Sequence, residues 1–151
     1  MRIALFEPEI AGNVGAVLRL GACFGTAVDL IEPMGFEWDD RRVRWTAMDY
    51  IDHVDVARHA DFDAFRTAIG SRRMVLFTTK ARQSAYEFRF DAEDVLLFGK
   101  ESAGVPHAVA DACNAKVRIP IRPAVRSLNL AMTTALALGE ALRQTASLPG
   151  Q

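Results

Sequence analysis

Short apolar runs alternate with helix-patterned segments along nearly the whole chain, and this alternation restricts the possible folds more than any other feature. The strand-like runs are 2–6 (RIALF), 27–31, a weaker one near Val54–Ala57, Met74–Thr78, Val95–Phe98 and Lys116–Ile119. The helical segments are Asn13–Phe24 with Val14, Val17, Leu18 and Leu20 at helical spacing, roughly 39–48, 62–69 behind a possible N-cap at Asp61, and 106–113 with Pro106 in the first turn. A long last helix spans about Ser127 to Thr145. Strand and helix in alternation imply an α/β fold, a mainly parallel sheet covered by helices on both faces. There is no repeat, low-complexity tract or linker, so residues 1–151 read as a single domain.

The last helix is unusual. Leu128, Met132, Ala135, Leu138 and Leu142 form one stripe, while Leu130, Ala131, Ala137 and Ala141 continue around the other side. A helix apolar nearly all round is buried nearly all round. Either it runs through the centre of the monomer core, or a second subunit covers one face. The small residues Ala131, Ala135, Ala137, Gly139 and Ala141 would let another helix approach closely, which favours a homodimer.

Composition excludes several classes. Half the residues are apolar and a quarter charged, which suits a soluble globular protein. No apolar run nears the roughly 18 residues of a membrane span, and no secretory leader is visible, so a cytoplasmic place is expected. Cys23 and Cys113 are isolated, and His53, His59 and His107 fall at no metal-ligand spacing, so no metal is expected. Net charge is −1, but 15 of the 18 basic residues are Arg. Arg forks match phosphates, and Arg-rich usage follows equally from GC-rich coding. The run DDRRVR (39–44) reads as a solvated face before it reads as an RNA patch.

Three loops carry polar residues that no core requires. The first is PEIAGNVGAVLR, where Asn13 can cap a helix and Arg19 lies one turn beyond Gly15 on the same face. Its glycines do not form a dinucleotide fingerprint. The second, Gly99 to Gly104, follows the buried run VLLF. Gly99-Lys100 looks like the end of a phosphate-binding P-loop, but Asp94 stands where that motif needs glycine and Glu101 where it needs Ser or Thr. The third is IPIRPAVRSLNLA, in which Ser127 would serve as an N-cap and Asn129 as a first-turn polar residue.

Together these loops form an ordered triple: N-x-G-x-x-x-R at a helix start, F-G-x-E-x-x-G-V-P after a strand, and I-P-x(6)-S-L-N-L entering the last helix. The triple resembles the SPOUT family of RNA methyltransferases over nearly the whole chain, from Glu7 to Gln144. The single-domain length, the run IEPMGFEWDDRRVRWTAMDY and FTTK are most similar to its branch that methylates the wobble ribose of leucine tRNAs. The chain departs from the family pattern at Ala131 and Met132, and at Gly139, where an aromatic residue is frequent.

The resemblance implies a C-terminal trefoil knot, a homodimer through the last helix, and S-adenosylmethionine bound against Phe77, Gly99, Ile119, Ser127 and Leu128. It implies a catalytic group of Arg19, Asn13, Glu101, Ser127 and Asn129, with Arg19 the activator of the ribose 2′-hydroxyl. The anticodon stem-loop of tRNA would meet Asn13, Arg19, Asp49, Tyr50 and Arg126. Glu101 could orient Arg19 or hold its loop. A guanidinium keeps its proton at working pH, so the general base stays open. Methylation of another tRNA or rRNA nucleotide is the alternative within the family, and a silent RNA-binding paralogue the alternative outside catalysis.

Overall fold

The computed structural model describes residues 1–39 and 48–150. Among them six strands form one sheet in the order β3-β2-β1-β5-β4-β6, every neighbouring pair parallel. The strands are β1 (Arg2–Phe6), β2 (Ala27–Ile31), β3 (Val56–His59), β4 (Met74–Phe77), β5 (Val95–Phe98) and β6 (Ala115–Val117). The helices are α1 (Ala11–Phe24), α2 (Phe62–Ile69), α3 (His107–Ala112) and α4 (Leu130–Gln144), with a 3-10 turn over Met48–His53. No described helix is long and apolar enough to cross a membrane.

Continuous apolar runs form these strands because both faces of the sheet are buried. Alternation along a strand sends Ile3 and Leu5 to one face, where Val14, Val17 and Leu18 of α1 and Leu138 and Leu142 of α4 cover them. Ala4 and Phe6 face the other way, against Phe65 and Ile69 of α2 and Val109 of α3. The same split repeats in β5, with Leu96 and Phe98 in the first layer and Val95 and Leu97 in the second.

Buried charge lies at two places in the sheet: Asp29 within β2, 1% exposed, accepts from Arg2 and lies 2.8 Å from His59 Nε2, and a second carboxylate sits where β4 and β5 begin. Asp94, wholly buried just before β5, takes a two-pronged pair from Arg73, with both Nε–Oδ1 and Nη2–Oδ2 at 2.7 Å. A buried carboxylate held by an Arg fork fixes the starting register of β4 beside β5. The opposite, C-terminal end of these strands is left to loops.

Several expected boundaries move. The strand expected at Val54–Ala57 lies two residues later, because Val54 packs against α1, where a Cβ on Gly21 would come within 2.9 Å of it. The expected helix at 39–48 lies almost entirely outside the described residues. β6 is shorter than Lys116–Ile119, and the last helix begins at Leu130 instead of Ser127. Its buried stripe is Leu130, Thr134, Ala137, Leu138, Ala141 and Leu142. Of the stripe expected from sequence only Leu138 and Leu142 are in the core, while Leu128, Ala135 and Met132 are exposed.

Candidate active site

A cavity of about 390 Å³ opens at the C-terminal ends of β4 and β5, beside the loop that follows β1. This is where an open parallel sheet presents ligands, since strand-end loops and helix N-termini converge there. β4 and its exit supply Leu76 to Thr79, β5 and its exit supply Phe98 to Glu101, and the segment after β6 supplies Ile119 and Ile121. Ser127 to Leu130 and Thr133 close one side, and Ile10 and Asn13 another.

The loop after β5 is pinched shut. Lys100 N donates to Gly104 O at 3.1 Å and Gly104 N donates back to Lys100 O at 2.9 Å. A Cβ on Gly99 would lie 2.4 Å from the Gly104 carbonyl carbon, and Gly104 itself has φ +69°, so both positions require glycine. The pinch pushes the tip, residues 101–103, towards the β1–α1 loop.

There Glu101 organises the entry to α1. Its carboxylate accepts from Glu9 N at 2.8 Å, Ile10 N at 3.3 Å and Asn13 Nδ2 at 2.9 Å. The N-cap of α1 is Ile10, which has no side chain to cap with, and its first turn holds no acidic residue. A carboxylate from a distant loop therefore takes the N–H of the N-cap residue, which a local Glu or Gln at the third helical position takes in a capping box. Of the two roles left open for Glu101, holding the loop is the one its three hydrogen bonds serve.

Asn13 is not the cap its position suggests. It lies in the first turn of α1, 8% exposed, with its carboxamide shared between two loops. Its Nδ2 donates to Glu101, and its Oδ1 accepts from Asn129 Nδ2 at 2.9 Å. Asn129, not Ser127, is the N-cap of α4, accepting from Ala131 N at 2.9 Å and Met132 N at 3.3 Å. Each amide thus points its NH2 along the chain towards the Glu101 carboxylate. Flipping either would set donor against donor, so the three side chains have one satisfied arrangement.

The residues expected to hold a cofactor, Phe77, Gly99, Ile119, Ser127 and Leu128, all line this cavity, as do Asn13, Glu101 and Asn129. Arg19 and Arg126 are exposed and outside the lining. The Arg19 guanidinium lies 4.8 Å from the centre of the Tyr50 ring, within cation–π range. Tyr50 belongs to the 3-10 turn, as does Asp49, whose side chain lies outside the described residues.

Sequence reasoning missed Thr78, Thr79 and Thr133 in the lining, and the acids Glu7 and Glu9 behind it. Thr78 and Thr79 could have been found as the residues directly after a buried strand, whereas nothing local marks Glu9. Lys100 Nζ pairs with Glu7 at 2.6 Å, and this bond raises the Lys100 pKa. Among the described residues no group of three or more His, Cys, Asp or Glu side chains could hold a metal ion.

The SpoU rRNA Methylase family matches residues 1–139. A tRNA (cytidine(34)-2'-O)-methyltransferase of Beijerinckia indica is 49% identical over 148 residues, covering 97% of this chain and 92% of the relative. A solved structure described as "Structural insights into the 2-OH methylation of C/U34 on tRNA" superposes with a TM-score of 0.90 at 39% identity, covering 95% of this chain and 94% of the other. An AdoMet-bound rRNA methyltransferase from Sinorhizobium meliloti gives a TM-score of 0.83 at 27% identity, over 94% of this chain and 55% of that longer one.

Proposed function

The chain belongs to the SpoU methylase family, and from that premise we propose that it transfers a methyl group from S-adenosylmethionine to the ribose 2′-oxygen of the wobble nucleotide, position 34, of tRNA. Its substrate is the anticodon stem-loop, in the first place of leucine tRNAs, which gives it a cytoplasmic place of work. The observation that carries the proposal is the cavity at the strand ends, walled by three loops that the Glu101–Asn13–Asn129 hydrogen bonds tie together.

The residues present fit the cofactor. Small-molecule sites measure about 300–1,000 Å³ and are mainly apolar with a few placed polar groups. The cavity's 390 Å³ lies in that range, with Leu76, Phe98, Ile121 and Leu130 offering an apolar slot. Phe77, Gly99, Ile119, Ser127 and Leu128 would hold the cofactor, largely through strand-end backbone groups. When bound, S-adenosylmethionine supplies a methyl on a sulfonium, open to in-line displacement by an oxygen.

The protein's task is then to place and polarise that oxygen. Asn13, Arg19, Asp49, Tyr50 and Arg126 meet the RNA. Arg19 acts as a donor fork, pinning the phosphate next to the target ribose and stabilising the charge that develops on the 2′-oxygen. The departing hydroxyl proton goes to an acceptor other than Arg19: the pinned phosphate, a neighbouring side chain or water. Tyr50 supports this role by holding the guanidinium over its ring, 4.8 Å from the ring centre. Asn13, Glu101 and Asn129 fix the start of α1 relative to the cavity, and with it the height at which Arg19 stands, while Ser127 completes the catalytic group from the cavity wall.

Two finer features belong to the same proposal. The C-terminal part threads the β4–β5 connection as a trefoil knot. In favour of this, that connection is bound on one side by Arg118, through Gln83 O and Ala85 N, and on the other by Gln144, through Phe88 O and Phe90 N. A second copy of the chain covers the outer face of α4. Met132 is 63% exposed there and Leu136 44%, more apolar surface than a short helix ordinarily leaves to water.

Purified protein, leucine tRNA and S-adenosylmethionine carrying a labelled methyl provide the test. The label should enter the ribose of nucleotide 34 and no other. Label at another nucleotide, or none in tRNA of any kind, would overturn the proposal.

A further inference from the structure

A second set of contacts joins the same two loops in the reverse direction. While Glu101 accepts from the amide of Glu9, the Glu9 carboxylate accepts from Ser102, one oxygen taking the amide at 2.8 Å and the other the hydroxyl at 2.7 Å. The pattern is that of a capping box, with backbone donors exchanged for side-chain acceptors, but it is built from loops 93 positions apart. The two bonds from Ser102 hold the Glu9 carboxyl below its ordinary pKa, so the grip favours the ionised form. From behind, Glu9 is braced by the segment after β2. Gly35 N donates to Pro8 O at 2.9 Å, and a Cβ on Gly35 would stand 2.8 Å from the Glu9 Cα.

Ser102 does not line the cavity, but Lys100, Glu101 and Gly104 around it do. We propose that Glu9 is a positioning residue for methyl transfer: through Ser102 it holds the Gly99–Gly104 wall of the cavity closed, and so sets the affinity for S-adenosylmethionine. This rests on the cavity being the cofactor site proposed above. Without the Glu9 grip the tip of the loop keeps Glu101 on one side only, and the wall spends part of its time open. Affinity falls by the fraction of time the closed wall is lost, while chemistry in the loaded enzyme is unaffected.

The test is calorimetric titration of the full-length protein with S-adenosylmethionine, with thermal melts and steady-state kinetics on tRNA alongside. Glu9→Ala should weaken cofactor binding about tenfold, since both lost bonds from Ser102 are exposed and water replaces most of their strength, and raise the cofactor KM in step. Its kcat at saturating cofactor should stay within about twofold of wild type. Glu9→Gln keeps an oxygen for the Ser102 amide and turns its own amide to the Ser102 hydroxyl, so it should bind within about threefold of wild type. Gly35→Ala, which forces the Glu9 backbone aside, should behave like Glu9→Ala. A Glu9→Ala protein that melts and binds like wild type would overturn the inference. So would equal losses in the Ala and Gln variants with melting lowered in both, since that is damage to the fold. A wild-type protein that fails to bind S-adenosylmethionine would instead overturn the cofactor site itself.

Discussion

Replacing Glu101 with Ala removes the carboxylate that holds the entry to α1, and the cost can be worked from the three hydrogen bonds it makes. Two are short and half-buried, from Glu9 N at 2.8 Å and Asn13 Nδ2 at 2.9 Å, and the third, from Ile10 N, is long and exposed at 3.3 Å. A hydrogen bond to a charged group contributes about 1.5–3 kcal/mol, so the two good bonds are worth about 3–6 kcal/mol, nearer the lower figure because water reaches the loop. For a chain of this size each kcal/mol moves the melting midpoint by about 2–4 °C, which predicts a fall of about 6–12 °C for Glu101→Ala. Glu101→Gln should cost less. With its oxygen at the Oε1 site it still serves Asn13 and Ile10, but its NH2 then faces the Glu9 amide, donor against donor. About a third to a half of the Ala effect is expected. Melting curves followed by circular dichroism at neutral pH are the assay. An Ala variant melting within about 1 °C of wild type would show that the distant cap does not hold α1, and the account of the site would fail with it.

Arg19→Ala should leave S-adenosylmethionine affinity nearly intact and lower methylation at least about a hundredfold, whereas an Arg19 that is only a surface residue predicts wild-type single-turnover rates. Arg19→Lys keeps the charge without the planar fork, and its rate shows whether charge alone suffices. Leu136→Glu, on the outer face of α4, should give a folded monomer in sedimentation, while Leu138→Glu, at a wholly buried position, should unfold the chain. If Leu136→Glu sediments like wild type, the second copy does not use this face. Hydrogen bonds from Arg143 and then Gln144 lower the Glu140 pKa from 4.5 to about 2. A depressed carboxylate stabilises the fold above its unfolded pKa and loses that contribution as pH falls through the folded value, here between about 4.5 and 2. Glu140→Gln should therefore melt with a flatter pH dependence than wild type across that window, and an unchanged slope would refute the assignment.

The sheet was legible in sequence because runs such as VLLF are apolar on both faces, a pattern that parallel strands require and few other elements share. The phase of α4 was not. Apolar residues surround it, so periodicity could not choose a face, and the fold buried Thr134 where a Leu stripe was expected. Thr134 can be buried because its hydroxyl donates to Leu130 O at 2.9 Å, within the helix itself. The cavity residues were mostly found, since motif spacing placed Gly99, Ser127 and Asn129 at strand and helix ends. Which asparagine caps and which bridges was beyond reach. Asn13 and Ser127 both stand where a local cap is usual, but Asn129 caps α4 two residues later, and only the approach of the three loops turns Asn13 into a bridge between Glu101 and Asn129. For the same reason Glu9 could not be read: its partner is in another loop, and an acid in a loop has no periodicity.

The amide chain from Asn129 to Asn13 joins positions 116 residues apart, and the bond from the Glu9 amide to Glu101 joins positions 92 apart. Contacts of such separation form late, because the loop they close must be ordered before they reward it. A nascent chain that has left the ribosome through β6 can pair all six strands yet still lacks Asn129 and α4, and with them one side of the pocket. A small molecule that binds only the native state stabilises only what already possesses its site. A cofactor held in the proposed site can therefore rescue a weakened variant once α4 has been made, but it gives no help to a chain that still lacks that helix.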